Sequence, residues 1–302
     1  MNALKKSALL IALTAAATAA HAGPTQIYGT ADVGYSYAKA GDSAVHNISS
    51  NGQSDSFIGF KASEDLGNGV KAVVTLEAGY NIDGASGAQK RETSIGLTDG
   101  IHTLKAGRLE SLGYAAVKQF DAFGGGNLGM ARGISNVAEY NDNSVGYTFS
   151  KSGLTASYQH SFGEIVDGGL GDGSTKAASV AYTHGPMSAS LVRTEVDMGA
   201  TTTQVAGSYD MGVAKTSVIY QDVSDSDLDN TFMVGVSAPV KGFIAKASIG
   251  QAKLVSGDKV DLYSIGGSYN LSKRTSLYAA YGRVDVASAK GEQLGLGINH
   301  SF

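Results

Sequence analysis

The chain has 302 residues, of which 42% are hydrophobic and 17% charged, with 41 glycines, 3 prolines, no cysteine and a formal net charge of −4. Lack of cysteine excludes disulfide bracing and thiolate metal centres, and the acidic balance argues against nucleic acid as a partner. Beyond the first 22 residues no apolar run approaches the ~20 that a membrane-crossing helix needs, so a helical membrane protein is excluded too.

Met1 to Ala22 has the three parts of a cleaved secretory signal peptide. Lys5 and Lys6 supply the positive start, Ala8 to Ala20 is a short uncharged apolar stretch, and Ala20-His21-Ala22 is an A-x-A cleavage site. The mature domain is expected to run from Gly23 to Phe302, with 21 basic against 27 acidic residues and a net charge of −6. A membrane anchor is the alternative, but the apolar stretch is too short for one.

From residue 27 onward, apolar and polar residues alternate with period two. Strands are predicted near 27–37, 56–63, 69–80, 92–98, 102–108, 144–150, 154–162 and 177–183, then near 187–195, 202–209, 213–221, 231–238, 243–250, 260–269, 275–282 and 293–302. Sixteen is an even number, so both ends lie on one side and the sheet can close. The predicted connections alternate in length. One set is short, such as Ser152-Gly153 and His184-Gly185-Pro186; the other is long and polar, at 38–55, 81–91, 109–143, 163–176, 222–230, 251–259 and 283–292. Short inner turns and long outer loops are the asymmetry of bacterial outer-membrane barrels.

Charge placement follows the same parity. Asp32, Lys61, Lys71, Glu77, Lys105, Lys215 and Lys246 fall on the polar face of their strands. A Lys facing lipid at mid-bilayer costs about 2–4 kcal/mol. Arg91, Arg108, Arg193 and Asp261 have the opposite parity but lie at strand ends beside long loops, where side chains can snorkel. Two aromatic girdles are expected on the outward face. Phe149, Tyr182, Tyr209, Phe243, Tyr269 and Phe302 stand near the short turns, with Tyr35, Tyr80, Tyr220 and Tyr281 near the long loops.

Other motifs read blandly. Gly124-Gly125-Gly126-Asn127-Leu128-Gly129 fits G-x-G-x-x-G but lacks the strand, helix and acidic residue of a dinucleotide site. Asp225-Ser226-Asp227-Leu228-Asp229-Asn230 starts like a calcium loop but lacks the glycine at its sixth place and the glutamate at its twelfth. His160 and Ser161 are adjacent, so a strand points them to opposite faces and they form no nucleophile–base pair. No catalytic residue, metal site or cofactor is expected.

At this point the chain resembles the trimeric general porins of Gram-negative outer membranes, nearest their beta-proteobacterial branch. The residues that carry the likeness are Ile27-Tyr28-Gly29-Thr30-Ala31-Asp32, the run from Gly59-Phe60-Lys61-Ala62-Ser63-Glu64-Asp65 to Ala72, Leu104-Lys105-Ala106-Gly107-Arg108, Asn143-Ser144-Val145-Gly146-Tyr147, Leu271-Ser272-Lys273-Arg274-Thr275 and the terminal Phe302. The resemblance implies a sixteen-stranded antiparallel transmembrane β-barrel whose third long loop, here 109–143 with Phe120-Asp121-Ala122-Phe123-Gly124, folds into the lumen and narrows it. It also makes Phe302 an assembly signal. Two common family arginines are absent, since Phe57 and Tyr140 stand at those places, whereas Arg91 and Arg108 match. The expected constriction sets Glu110 and Asp121 on the loop against Lys61, Lys71, Arg91 and Arg108 on the wall. Arg108 has the wrong parity, and reaches the lumen only through a bulge at Gly107 or a place above the lipid band.

The outward residues of the second to fifth strands, among them Ile58, Phe60, Val74, Leu76, Ile95, Leu97 and Leu104, are aliphatic or small. Together with the family likeness they predict a homotrimer joined through the first strands. The expected function is passive diffusion of ions and small hydrophilic solutes across the outer membrane, in contact with lipid and lipopolysaccharide. Two alternatives are a substrate-specific channel for a sugar or organic acid, and a structural or adhesive barrel. The inward face of Gly, Ser and Thr argues against a plugged barrel, and only Tyr28, Phe57 and Tyr278 hint at an aromatic track for a specific solute.

Overall fold

The computed structural model describes residues 24–85, 90–129, 131–163, 173–286 and 289–302, so the signal peptide lies outside the described residues. Among the described residues seventeen strands form one antiparallel sheet: β1 Thr25–Ala40, β2 Ser43–Ser50, β3 Phe57–Gly67, β4 Val70–Gly79, β5 Lys90–Thr98, β6 His102–Glu110, β7 Tyr140–Lys151, β8 Leu154–Ser161 and β9 Thr175–His184. After them come β10 Met187–Val196, β11 Thr201–Asp210, β12 Lys215–Ser224, β13 Leu228–Val240, β14 Phe243–Leu254, β15 Lys259–Asn270, β16 Thr275–Val286 and β17 Ala289–Ser301. Between β6 and β7 stand helix α1 (Leu112–Phe120), a 3-10 turn (Asn127–Gly129) and the short helix α2 (Ala131–Ile134).

Apart from β2 and β3, each strand pairs with its sequence neighbours, and β1 pairs with β17 to close the barrel. The lower half of β1 pairs with β3 through Thr25↔Ala62 to Thr30↔Phe57, and its upper half pairs with β2 through Val33↔Ser50 to Ala40↔Ser43. β2 and β3 are therefore two halves of a single stave. The barrel has sixteen staves, and residues 51–56 interrupt the second. Alternation builds this wall because each strand offers one face to each side of a single layer. Outward Ile58, Leu76, Ile95, Val205 and Ile265 are exposed, while inward Gln204, Gln221, Ser248 and Ser264 are buried.

The structure corrects the expected connections. The stretch 38–55 is not one long loop: it holds β2, reached by a turn at residues 41–42. The stretches 222–230, 251–259 and 283–292 are largely strand as well. At one end the connections span two to four residues and lie on the side of Thr25 and Phe302. At the other end, the described residues outside strands are concentrated in 80–85, 111–129 and 131–139. The girdle reading holds for Tyr182, Tyr209, Phe243, Tyr269 and Phe302, and for Tyr35, Tyr220 and Tyr281, all exposed. Tyr80 departs from it. Its hydroxyl donates to the Thr30 carbonyl at 3.0 Å and its amide to Ser56 O at 3.0 Å, so it fills the gap left by the broken stave.

Candidate functional site

The chemistry concentrates where the 111–139 connection meets the wall. Ser111 starts α1 as its N-cap, accepting from the Tyr114 amide at 3.1 Å. Its apolar side carries Tyr114, Ala116, Val117 and Phe120, all buried. Phe120 and Ala131 form a cluster with Ala206, Ile219 and Met233, inward residues of β11, β12 and β13. Phe123 and Leu128 do the same with Tyr278 and Ala280 of β16. Polar contacts tie the far side: the Asn136 amide donates to Gln221 Oε1 at 3.0 Å, its side chain to Thr202 at 2.9 Å, and Ser264 to the Gly129 carbonyl at 3.0 Å. The connection thus leaves β6 and packs on inward side chains of β11 to β16.

Arg91 is buried, contrary to its parity. Leu76 pairs with Thr93 but Ala78 with Lys90, so β5 carries an extra residue there, and this bulge turns Arg91 to the inner face. Its guanidinium donates to Asp55 Oδ2 at 2.7 Å and Glu77 Oε2 at 3.1 Å. It lies 4.3 Å from the Phe57 ring centroid and 5.4 Å from that of Tyr140. The two aromatics that replace family arginines therefore both lie against Arg91, one of the two arginines that match. Tyr28 completes the cluster by donating to Glu77 Oε1 at 2.6 Å.

Arg108 lies at a second irregularity. Gly107 pairs with Ser144 and Leu109 with Asn141, the extra residue falling on β7, and Gly107 has φ +131°, a conformation that favours glycine. The extra residue lies across the ladder on β7 and not at Gly107 itself, and Arg108 stays paired with the exposed Thr93 of β5. Arg108 pairs with Asp142 at 2.8 Å, donates to Lys90 O at 3.1 Å and lies 5.4 Å from the same Tyr140 ring.

The remaining candidates are dispersed. Lys61 places its ammonium 4.4 Å above the Tyr28 ring. Lys71 is exposed at the short-turn end of β4, two rungs from the turn, and does not join the Arg91 cluster. Glu110 accepts from Lys118 of α1, and Lys105 pairs with Glu92 at 2.7 Å. Asp121 caps the end of α1 and accepts the Gly125 amide on Oδ2 at 2.8 Å, while its Oδ1 has no hydrogen-bond partner among the described residues. Burial pushes the Asp121 carboxyl above its ordinary range, against the Gly125 and Phe123 amides and the Lys246 ammonium, which hold it down. Phe302 exchanges two backbone hydrogen bonds of 3.1 Å with Gly29, sealing the barrel.

Sequence reasoning missed Asp55 and the role of Asp32. Asp32 is fully buried, and its carboxylate accepts from the amides of Gly52, Gln53 and Ser54 at 2.9–3.2 Å, from the Tyr278 hydroxyl at 2.8 Å and from the Asn299 amide at 2.9 Å. The polar run Ser49-Ser50-Asn51-Gly52-Gln53-Ser54 signals a break in alternation, but nothing in it names these partners. His160 and Ser161 do face opposite ways: Ser161 meets Ser144 Oγ at 2.6 Å, and His160 packs on Phe162.

Comparison with known proteins agrees with this architecture. The sequence profile of the Gram-negative porin family matches residues 8–288. The chain is a Gram-negative porin. It is 30% identical to an outer membrane porin protein of Bordetella pertussis, over 99% of this chain and all of that one. Identity with outer membrane porin protein 32 of Delftia acidovorans is 31%, over 91% and 88% of the two chains. Among solved structures, the anion-selective porin from Comamonas acidovorans superposes with a TM-score of 0.81 at 23% identity, covering 92% of this chain and 99% of that one. The porin is thus a multi-pass barrel of the Gram-negative outer membrane that forms a diffusion channel.

Proposed function

We propose that this porin is a general, non-catalytic channel for ions and small hydrophilic solutes, and that its constriction lies between the 111–139 connection and the Arg91–Arg108 wall. The observation that carries this is the path of the connection from β6 to inward side chains of β11 to β16. The basic side of the constriction is largely cancelled, because Arg91, Arg108, Lys105 and Lys118 each hold a carboxylate. The Comamonas porin is anion-selective; these pairings, with the −6 mature charge, give weak selectivity tilted towards cations here. In planar bilayers under a KCl gradient, large, nearly ohmic steps with a small cation-side reversal potential are expected. Block by micromolar sugar or organic acid would favour a specific channel, and strong anion preference would show that the arginines still dominate.

The exposed outward residues Ile58, Leu76, Ile95, Leu97 and Leu104 form the face through which a homotrimer is proposed. Native mass spectrometry in mild detergent should give a trimer of chains that begin at Gly23. A monomer alone would refute the assembly, and retention of Met1–Ala22 would refute the cleavage.

A further inference from the structure

We propose that the insert at 51–56 in the second stave is a selectivity element: it carries Asp55 onto Arg91 and thereby masks a buried cation of the wall. The inference rests on the channel reading above and adds to it the residues that set its charge preference.

Between the rungs Val33↔Ser50 and Thr30↔Phe57, β1 has only Ala31 and Asp32, so a regular second stave needs two residues where this chain has the six of 51–56. The chain leaves the ladder between Ser50 and Phe57, and Asp32 replaces the lost pairing. Its carboxylate gathers three successive amides of the insert, while its backbone exchanges contacts with Ser56, whose hydroxyl accepts the Asp32 amide at 2.9 Å and donates to its carbonyl at 3.1 Å. Asn51 turns the segment back on itself by accepting the Ser56 amide at 2.6 Å. The fold of the insert is therefore over-determined around one buried carboxylate, which itself is braced by Tyr278 and Asn299 from the last two strands.

This fold has two consequences at the constriction. First, it supports the connection on its other side. The Leu128 amide donates to Gly52 O at 3.2 Å and the Asn127 side chain to Asn51 O at 2.9 Å, and Gly126 lies so close to the Gln53 carbonyl that a Cβ would collide with it. Second, it sets Asp55 on Arg91. Arg91 then faces two carboxylates, Asp55 and Glu77, and two ring faces, so the cluster of these three charges is net negative. A guanidinium held this way attracts a passing anion far less than one open to the lumen, because the carboxylates cancel its field within a few ångströms. Asp55 is the specificity-determining residue in this account, and Asp32 is the positioning residue that acts through it.

The test uses the full-length porin in planar bilayers, with reversal potentials read at 0.1 M and 1 M KCl. Asp55→Asn should lower the cation-to-anion permeability ratio by about two-fold or more at 0.1 M, with a smaller change at 1 M, where screening reaches only about 3 Å. Arg91→Gln should move the ratio the other way. Asp32→Asn should follow Asp55→Asn in sign, although it removes no charge that touches Arg91; a purely structural role would leave selectivity unmoved. Asp258→Asn in an outer turn controls for net charge, and heat-modifiable mobility confirms that each variant is folded. If Asp55→Asn fails to fold, the Arg91→Gln and Asp32→Asn shifts decide. A conducting wild type whose ratio Asp55→Asn leaves unmoved, or moves no more than Asp258→Asn does, overturns this proposal alone. A wild type that opens no conductance overturns the channel reading and this proposal with it.

Discussion

Replacing Phe302 with Asp is expected to remove most of the folded porin from the outer membrane. The reason is not the stability of the finished barrel. The two Phe302–Gly29 backbone hydrogen bonds do not depend on the side chain, and a charge near the interface of a barrel costs only about 0–1 kcal/mol. What the substitution removes is the exposed terminal aromatic, beside which the His300 ring stacks at 6.5 Å and over which Gly29 leaves room. This residue completes the lower girdle, and from the family likeness we propose it as the signal by which the chain is accepted for insertion. Deleting Phe302 should do at least as much, since it also breaks both backbone hydrogen bonds between Phe302 and Gly29. Heat-modifiable gel mobility of outer-membrane fractions measures the effect. Wild-type amounts of the Phe302→Asp barrel would count decisively against the assignment.

The second large effect is expected at Phe120. Its ring is 1% exposed and packs on Ala131, Ala206, Ile219 and Met233. Truncating a buried Phe to Ala typically costs about 3–5 kcal/mol. Here that loss falls on the docking of the connection and not on the barrel, because the ladders from β9 to β13 close without Phe120. Phe120→Ala should therefore keep heat-modifiable mobility while raising single-channel conductance and current noise, and it should expose 111–139 to protease. Unchanged conductance would show either that the connection holds without this anchor or that it does not limit the current. Cleavage within 111–139 separates the two.

Much of the wall was legible because its rule is local. Alternation located all sixteen staves, and their parity separated exposed Ile58, Leu76 and Ile95 from buried Gln204 and Gln221. The constriction was less legible, and Arg91 shows why. Parity places it outward, yet one extra residue in β5 reverses every assignment above the bulge, and such a slip leaves no mark in hydrophobic period. At Arg108 the extra residue falls on the facing strand β7, which the segment around Gly107 does not record. β2 escaped notice because a two-residue turn at 41–42 joins it to β1 within a polar stretch that reads as loop.

The sequence by itself determined the compartment, the barrel, its closure and its family, since each follows from residues adjacent in the chain or repeated along it. Only the tertiary structure decided which charges meet. Asp32 and Tyr278 are 246 residues apart, Arg91 and Asp55 are 36, and no local pattern records either pairing. The physical reason is that strand period specifies a face, whereas charge cancellation in the lumen depends on register, bulges and one broken stave, which are fixed only when the sheet closes.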